Sequence, residues 1–261
     1  MFKNLKSRVF RRLAWRRIKN SPTLLQIDFL GCKMLVRAHE EVGWRMVFNE
    51  FETADLQYFI EAIRSGDVVY DIGGNVGAYC ISIGKTVSSA TVVAFEPIPL
   101  NAALINVSRL LNQLQNVQIV QKCVSDRSGP IDFSLAEDSA YSSMFDTHRK
   151  TEIAKFACEA VSLDDFSAQA GRGPNVVKID VEGAELKVLQ GGVSIFGSAT
   201  RPRLALIELF DKNLSVFDTS INEITQMMKG WGYRAYVLID GRKEEFKPAH
   251  HNVHYNVFFE I

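Results

Sequence analysis

The apolar run Val68-Val69-Tyr70 leads straight into Asp71-Ile72-Gly73-Gly74-Asn75-Val76-Gly77, and from there into a helix that includes Tyr79, Ile81 and Ile83. Few folds accommodate that succession. A strand, a glycine-rich turn and a helix in immediate sequence open a βαβ unit, and in open α/β sheets that turn is where a nucleotide-like group is cradled. Gly73 and Gly77 are read here as positions where backbone approaches a ligand so closely that a Cβ would take up its space.

The rest of the chain supports the frame. Further apolar runs at 91–95, 117–120, 176–179, 204–207 and 233–239 are mostly separated by helical stretches. Such alternation predicts a largely parallel sheet covered on both faces. The last run, 255–259, follows its predecessor without a helix, which makes it most simply antiparallel. One helix is expected to carry Leu100, Leu104, Val107 and Leu111 on its inner face, and another to begin near an N-cap at Thr53. Before these, 24–29 and 33–38 read as a β-hairpin turning at Gly31. The runs 131–135 and 158–161 read as a second hairpin, with the long irregular stretch between them a candidate lid. The expected organisation is a basic amphipathic helix over 1–20, a hairpin cap over 21–50 and one large domain over 51–261 with the 131–161 insertion.

At 261 residues, 47% hydrophobic and 23% charged, the chain has the composition of an ordinary globular protein with a sizeable core. Its 30 basic and 30 acidic residues are unevenly placed: Lys3, Lys6, Arg8, Arg11, Arg12, Arg16, Arg17 and Lys19 fall in the first twenty, which hold no acid. Beyond them acids are in excess, which argues against nucleic acid as a partner. Residues 2–18, with Phe2, Leu5, Val9 and Leu13 on one face, are expected either to pack on the protein's own body or to lie on an anionic membrane surface. Cys32, Cys80, Cys123 and Cys158 lie too far apart to suggest zinc or a disulfide framework. His250 and His254 would share one face of an extended segment and His251 the other, so no metal is expected. Without a signal-peptide core or a spanning segment, a cytoplasmic place is expected, with peripheral contact at the inner membrane face through 2–18 as an addition.

Four motifs carry the chemistry. In the first, Asn75 stands where a dinucleotide fingerprint needs glycine, and the Asp71 carboxylate would repel a pyrophosphate. S-adenosylmethionine, with a sulfonium and an amino group, suits an acid there; turn capping alone is the plainer alternative for Asp71. Second, Glu96 ends the strand in VVAFEP, with Pro97 terminating it, and a carboxylate so placed accepts both ribose hydroxyls. A solvated strand-end acid is the alternative. Third, CVSD at 123–126 offers the Asp126 carboxylate to an adenine amino group and the Val124 and Ser125 backbone to the ring edge, or forms an ordinary turn. Fourth, VVKIDVEGAE embeds Lys178 in an apolar strand and delivers Asp180, Glu182 and Glu185 beyond its carboxyl end, where ligands of such sheets bind; Glu208, ending LALIEL, joins the same rim.

DIGGNVG, AFEP, CVSD, KIDVEGAELKVLQGG and LALIEL, in this order and spacing, resemble the FkbM family of methyltransferases over roughly residues 50 to 210. The resemblance implies a class I methyltransferase, Rossmann-like fold: a seven-stranded, mostly parallel sheet with helices on both faces. It implies donor contacts at Asp71, Gly73, Gly77 and Glu96 and an acidic cluster at Asp180, Glu182 and Glu185; Asn75 and Pro97 are added as donor-side candidates and Glu208 as an acceptor-side one. Ser142 and Ser143 resemble a serine-rich segment facing the active site, and His148, next to Arg149 in the lid, is a further substrate candidate. Family members methylate hydroxyl oxygens of sugars, glycolipids, polysaccharides or macrolide-like products. Asp180 or Glu182 is expected to take the hydroxyl proton or orient the acceptor. The competing readings are a non-catalytic nucleoside-binding module and a nicotinamide-dependent oxidoreductase.

Overall fold

A computed structural model describes residues 24–247 and 254–261. The basic segment 2–18, with His250 and His251, lies outside the described residues. The expected hairpin forms from β1 (Leu24–Phe29) and β2 (Cys32–Arg37), followed by α1 (Glu41–Val47) and α2 (Thr53–Glu61). Thr53 is the first helical residue and Glu52 takes the cap position, with a side chain free to be used elsewhere.

The core begins at β3 (Val68–Ile72), whose five residues are all buried. The chain continues through α3 (Ala78–Thr86), β4 (Thr91–Phe95), α4 (Pro99–Leu111) and β5 (Val117–Val120). After a small insertion come α5 (Leu163–Ala170), β9 (Val176–Ile179), α6 (Glu185–Gln190), α7 (Val193–Phe196), β10 (Leu204–Phe210), α8 (Asp211–Val216), α9 (Ile221–Gly230), β11 (Arg234–Ile239), β12 (Arg242–Glu245) and β13 (His254–Glu260). The insertion holds β6 (Cys123–Val124), β7 (Gly129–Ala136), a 3-10 turn at Ser139–Tyr141 and β8 (Glu152–Val161).

The main sheet has the order β12-β11-β13-β10-β9-β3-β4-β5. From β10 to β5 every pair is parallel, while β13 inserts antiparallel between β10 and β11. It has eight strands where seven were expected. The extra one, β12, is a charged, exposed edge hairpinned onto β11, so it lacks the apolar pattern that marks the others. Its signal was the turn: Asp240-Gly241, both at positive φ, is a hairpin dipeptide. The chain runs from β3 outward to β4 and β5, then returns past β3 to β9 and on to β10, so the order reverses between β3 and β9, and the crevice at that switch point lies beyond the strands' carboxyl ends.

The expected inner face of α4 is corrected. Of the four residues expected, Leu104 is buried and Leu111 half-buried, while Leu100 and Val107 are exposed, as is Leu110; Asn101, Ile105 and Ser108 face inward. The neighbour explains it. The open edge of β2 needs hydrogen-bond partners: Leu35 N–H donates to Ser108 Oγ at 3.1 Å, and Asn112 pairs with Lys33 N–H and C=O at 3.0 and 2.7 Å. Satisfying a strand edge outweighs burying two further apolar side chains. Accordingly Leu110→Gln should change unfolding free energy by less than about 0.5 kcal/mol, whereas Leu104→Ala should cost about 2–5 kcal/mol in urea denaturation. Equal effects would contradict this orientation.

Candidate active site

The glycine turn is fastened from both sides. Gly73 and Gly74 N–H both donate to Phe95 C=O at 3.0 Å, and Cys80 N–H donates to Asp71 Oδ2 at 3.0 Å. Asp71 Oδ1 is buried, has no hydrogen-bond partner and lies 3.7 Å from Lys178 Nζ. The structure supplies a reason for the glycines that the sequence did not show. At Gly73, with φ +81°, a Cβ would sit 1.8 Å from Asp180 C=O, and at Gly77, with φ +94°, it would meet Ile81 at 3.1 Å. Close backbone crossing at Gly73 and helix packing at Gly77 demand glycine whether or not a ligand also approaches.

Glu96, buried at the end of β4, folds back over the turn. Its Oε2 accepts from Asn75 N–H at 2.8 Å, its Oε1 from Ile98 N–H at 2.9 Å. Burial pushes its carboxyl up to about 7, although these amides, Asn101 and Lys178 favour the charged form. Pro97 lines the cleft beside it.

Ser125 and Asp126 do not line that cleft; Cys123 and Val124 do. The CV pair is a strand of the small sheet, which turns the next two residues away: Ser125 Oγ donates to Asp126 Oδ1 at 2.8 Å, and Asp126 faces Lys187 at 3.7 Å.

Across the turn Asp180, Glu182 and Glu208 each bring one carboxylate oxygen within 4.8 Å of the others. Lys178 Nζ donates to Asp180 Oδ2 at 3.0 Å and to Gly73 C=O at 3.1 Å. Burial alone would lower its pKa; Asp180 and Asp71 more than reverse this and raise it. Glu182, at φ +57°, accepts from Arg149 at 2.7 Å and from Asn213 Nδ2 at 2.5 Å. The Asp180 and Glu182 carboxyls are both held well above the usual range, first by burial and then by the Glu208 charge. Such a crowd of acids keeps protons or accepts cationic groups.

Other candidates fall elsewhere. Glu185 is buried out of the cleft, where its Oε1 accepts from Val181 and Gly183 N–H at 3.2 and 3.1 Å and so clamps the strand-end loop. Ser142 lines the cleft, while Ser143 donates to Val181 C=O at 2.9 Å and does not. His148 points to solvent, its side chain 81% exposed against Asp146. Its neighbour Arg149 enters instead, with its guanidinium 4.2 Å from the Tyr141 ring centroid and 4.9 Å from that of Phe210. Sequence reasoning missed Glu52, which lines the cleft and accepts from Asn256 Nδ2. No local pattern joins residues so far apart in the chain. It also left Lys178 without a role, though a lysine inside an apolar strand was itself a signal.

The solved structure of TYW2 from M. jannaschii in complex with AdoMet aligns over 92% of this chain and 86% of its own, at TM-score 0.50 and 14% identity, a likeness of fold. Fold, site and sequence together define an S-adenosylmethionine-dependent methyltransferase of the class I, Rossmann-like kind. Residues 71–235 match the model of the methyltransferase FkbM domain, and the chain belongs to that family. It is 30% identical over 176 residues to the hexuronic acid methyltransferase AglP of Haloferax volcanii, covering 66% of this chain and 68% of the relative. It is 25% identical over 232 residues to the 31-O-demethyl-FK506 methyltransferase FkbM of Streptomyces tacrolimicus, covering 75% and 84%. The residues present fit the methyl donor: a buried Asp71 oxygen without a partner and more acids than cations around the turn complement a ligand with two positive groups.

Proposed function

We propose that the chain moves the methyl group of S-adenosylmethionine to a hydroxyl oxygen of a sugar, glycan, glycolipid or related natural product. The observation that carries this is the convergence of Asp180, Glu182 and Glu208 directly across the glycine turn from Glu96. In this reading the donor supplies an electrophilic methyl. Glu96 accepts the ribose hydroxyls, and Asp71, Gly73, Asn75, Gly77 and Pro97 shape the donor's seat. A neutral hydroxyl is a poor nucleophile, so an acceptor-side carboxylate takes its proton. Asp180 is the better candidate. One Glu182 oxygen already accepts from both Arg149 and Asn213, whereas Asp180 shares a hydrogen bond with Glu208, an acid pair able to hold and pass one proton. The relatives named for hexuronic acid and FK506 methylation support an oxygen acceptor in a polyhydroxylated molecule.

Two experiments test this. Titration with S-adenosylhomocysteine and, separately, NAD should give heat with the first alone. Affinity for the homocysteine nucleoside should rise as pH passes through about 7, because Glu96 accepts ribose hydroxyls better once its proton leaves. Glu96→Gln should abolish that pH dependence and cost about tenfold or more in affinity at pH 8. An unchanged profile would remove Glu96 from the donor site. Incubation with methyl-labelled donor and fractionated glycans, lipids and small metabolites should place label in a hydroxylated fraction. Among the described residues no helix is long and apolar enough to cross a membrane. A peripheral contact of residues 2–18 with anionic lipid rests on their charge pattern, and co-flotation with anionic vesicles tests it.

A further inference from the structure

Glu96 is held from behind as well as by the turn. Asn101, fully buried in the first turn of α4, places Nδ2 3.4 Å from Glu96 Oε1 and 3.4 Å from Ser139 Oγ. Ser139 belongs to the 3-10 turn of the lid, and its hydroxyl donates to Glu40 Oε2 at 2.5 Å. Arg37, ending β2, donates to Asn101 Oδ1 at 2.5 Å and Ser139 Oγ at 2.7 Å, and its guanidinium lies 2.9 Å from Glu40. Three segments with no backbone pairing between them, the hairpin, α4 and the lid, thus meet in one buried polar cluster.

A buried polar network is costly unless every member is satisfied, and satisfied it fixes one arrangement. The contacts within this one are uneven. Those from Arg37 to Asn101 and from Ser139 to Glu40 are short, whereas the two made by Asn101 Nδ2 stand at the long limit of a hydrogen bond. Asn101 is therefore the joint with room to tighten. A ribose drawing on Glu96 changes the hydrogen bond that Asn101 makes, and Asn101 passes the change to Ser139 and the lid. Further along, Glu41 N–H donates to Asp138 Oδ2 at 2.9 Å and Arg149 reaches Glu182, so the lid is tied both to α1 and to the acceptor acids.

We infer that Asn101 and Ser139 are positioning residues that act through Glu96, joining occupation of the ribose seat to ordering of lid residues 137–151. This rests on the reading of Glu96 as the ribose acceptor. Because coupling is reciprocal, a lid that closes on the acceptor also tightens the donor by the same factor.

The test uses the full chain and S-adenosylhomocysteine. In the wild type, ligand should slow amide hydrogen exchange across 137–151. Ser139→Ala, which deletes one oxygen, should still bind, about fivefold or more weakly, without slowing lid exchange. Asn101→Ala should move the midpoint of the pH dependence of affinity upward, because it removes a hydrogen bond to the carboxylate form; Lys178 on β9 and Cys123 on β6, which also face Glu96, are untouched. The double variant should bind no more weakly than Asn101→Ala alone. Glu40→Gln, which keeps shape and the Ser139 contact while removing the charge beside Arg37, should retain lid protection, and if Asn101→Ala does not fold, Ser139→Ala carries the test against that control. Ligand-induced lid protection in Ser139→Ala equal to wild type, or additive losses in the double variant, would overturn the coupling. Absence of any binding heat in the wild type would overturn the donor reading itself.

Discussion

Asp180→Asn should lower methyl transfer by about 10²- to 10⁴-fold while changing affinity for S-adenosylhomocysteine far less. The asparagine keeps size and shape at the end of β9 and an oxygen for the Lys178 hydrogen bond, while removing the negative charge and the capacity to take a proton. The effect should carry a pH signature. Burial and the Glu208 charge raise the Asp180 carboxyl, so it gives up its proton at higher pH than an ordinary carboxyl and can act as a base only once that proton has left. The wild-type rate should therefore rise with pH, as the Asp180/Glu208 pair gives up its shared proton, and the residual Asp180→Asn rate should be flatter. Lys178, 3.0 Å away, opposes the shift. Initial rates with labelled donor and the accepting fraction, from pH 6 to 9, measure this. Normal turnover by Asp180→Asn would sink the assignment. Glu182→Gln should lose less, since its carboxylate anchors the lid through Arg149.

What the sequence disclosed follows from how this fold presents its residues. The strands β3, β4, β9 and β10 are covered on both faces, so each prints a continuous apolar run, and Glu96, Asp180 and Glu208, at the carboxyl ends of three of those runs, line the cleft, whereas Asp71, inside β3, is fully buried and does not. That is why the three lining acids were legible from position alone. The second tier was not. Arg37, Ser139, Glu52 and Asn256 reach the site from segments up to 204 residues apart, and nothing in their local pattern announces it. Hydropathy misjudged α4 because the helix packs on a strand edge that needs hydrogen bonds more than oil. In the lid, adjacent residues point to opposite sides, so singling out His148 missed Arg149 by one place. At CVSD the strand pairing of Cys123 and Val124 keeps Val124 on the cleft wall and brings Cys123 there in place of Ser125 and Asp126.

Gly73→Ala should leave little folded protein. The added methyl would lie 1.8 Å from Asp180 C=O and 2.9 Å from its carbon, both backbone atoms, so no flexible side chain is available to yield. Nor is the backbone free to part: Gly73 N–H bonds to Phe95 C=O at 3.0 Å and Asp180 N–H to Ile72 C=O at 3.0 Å. Separating the strands would break both and pull Lys178 from Gly73. A loss beyond about 5 kcal/mol is expected, comparable to the whole stability of an ordinary domain. Gly66 supplies the control, because it has the same φ of +81° with nothing within 4 Å of its hypothetical Cβ. Gly66→Ala carries only the left-handed backbone strain, about 1–2 kcal/mol. Urea midpoints of the two variants therefore separate conformation from space: if they coincide, the crossing of the glycine turn over Asp180 is not as close as described, and the seat that brings donor and acids together loses its geometric basis.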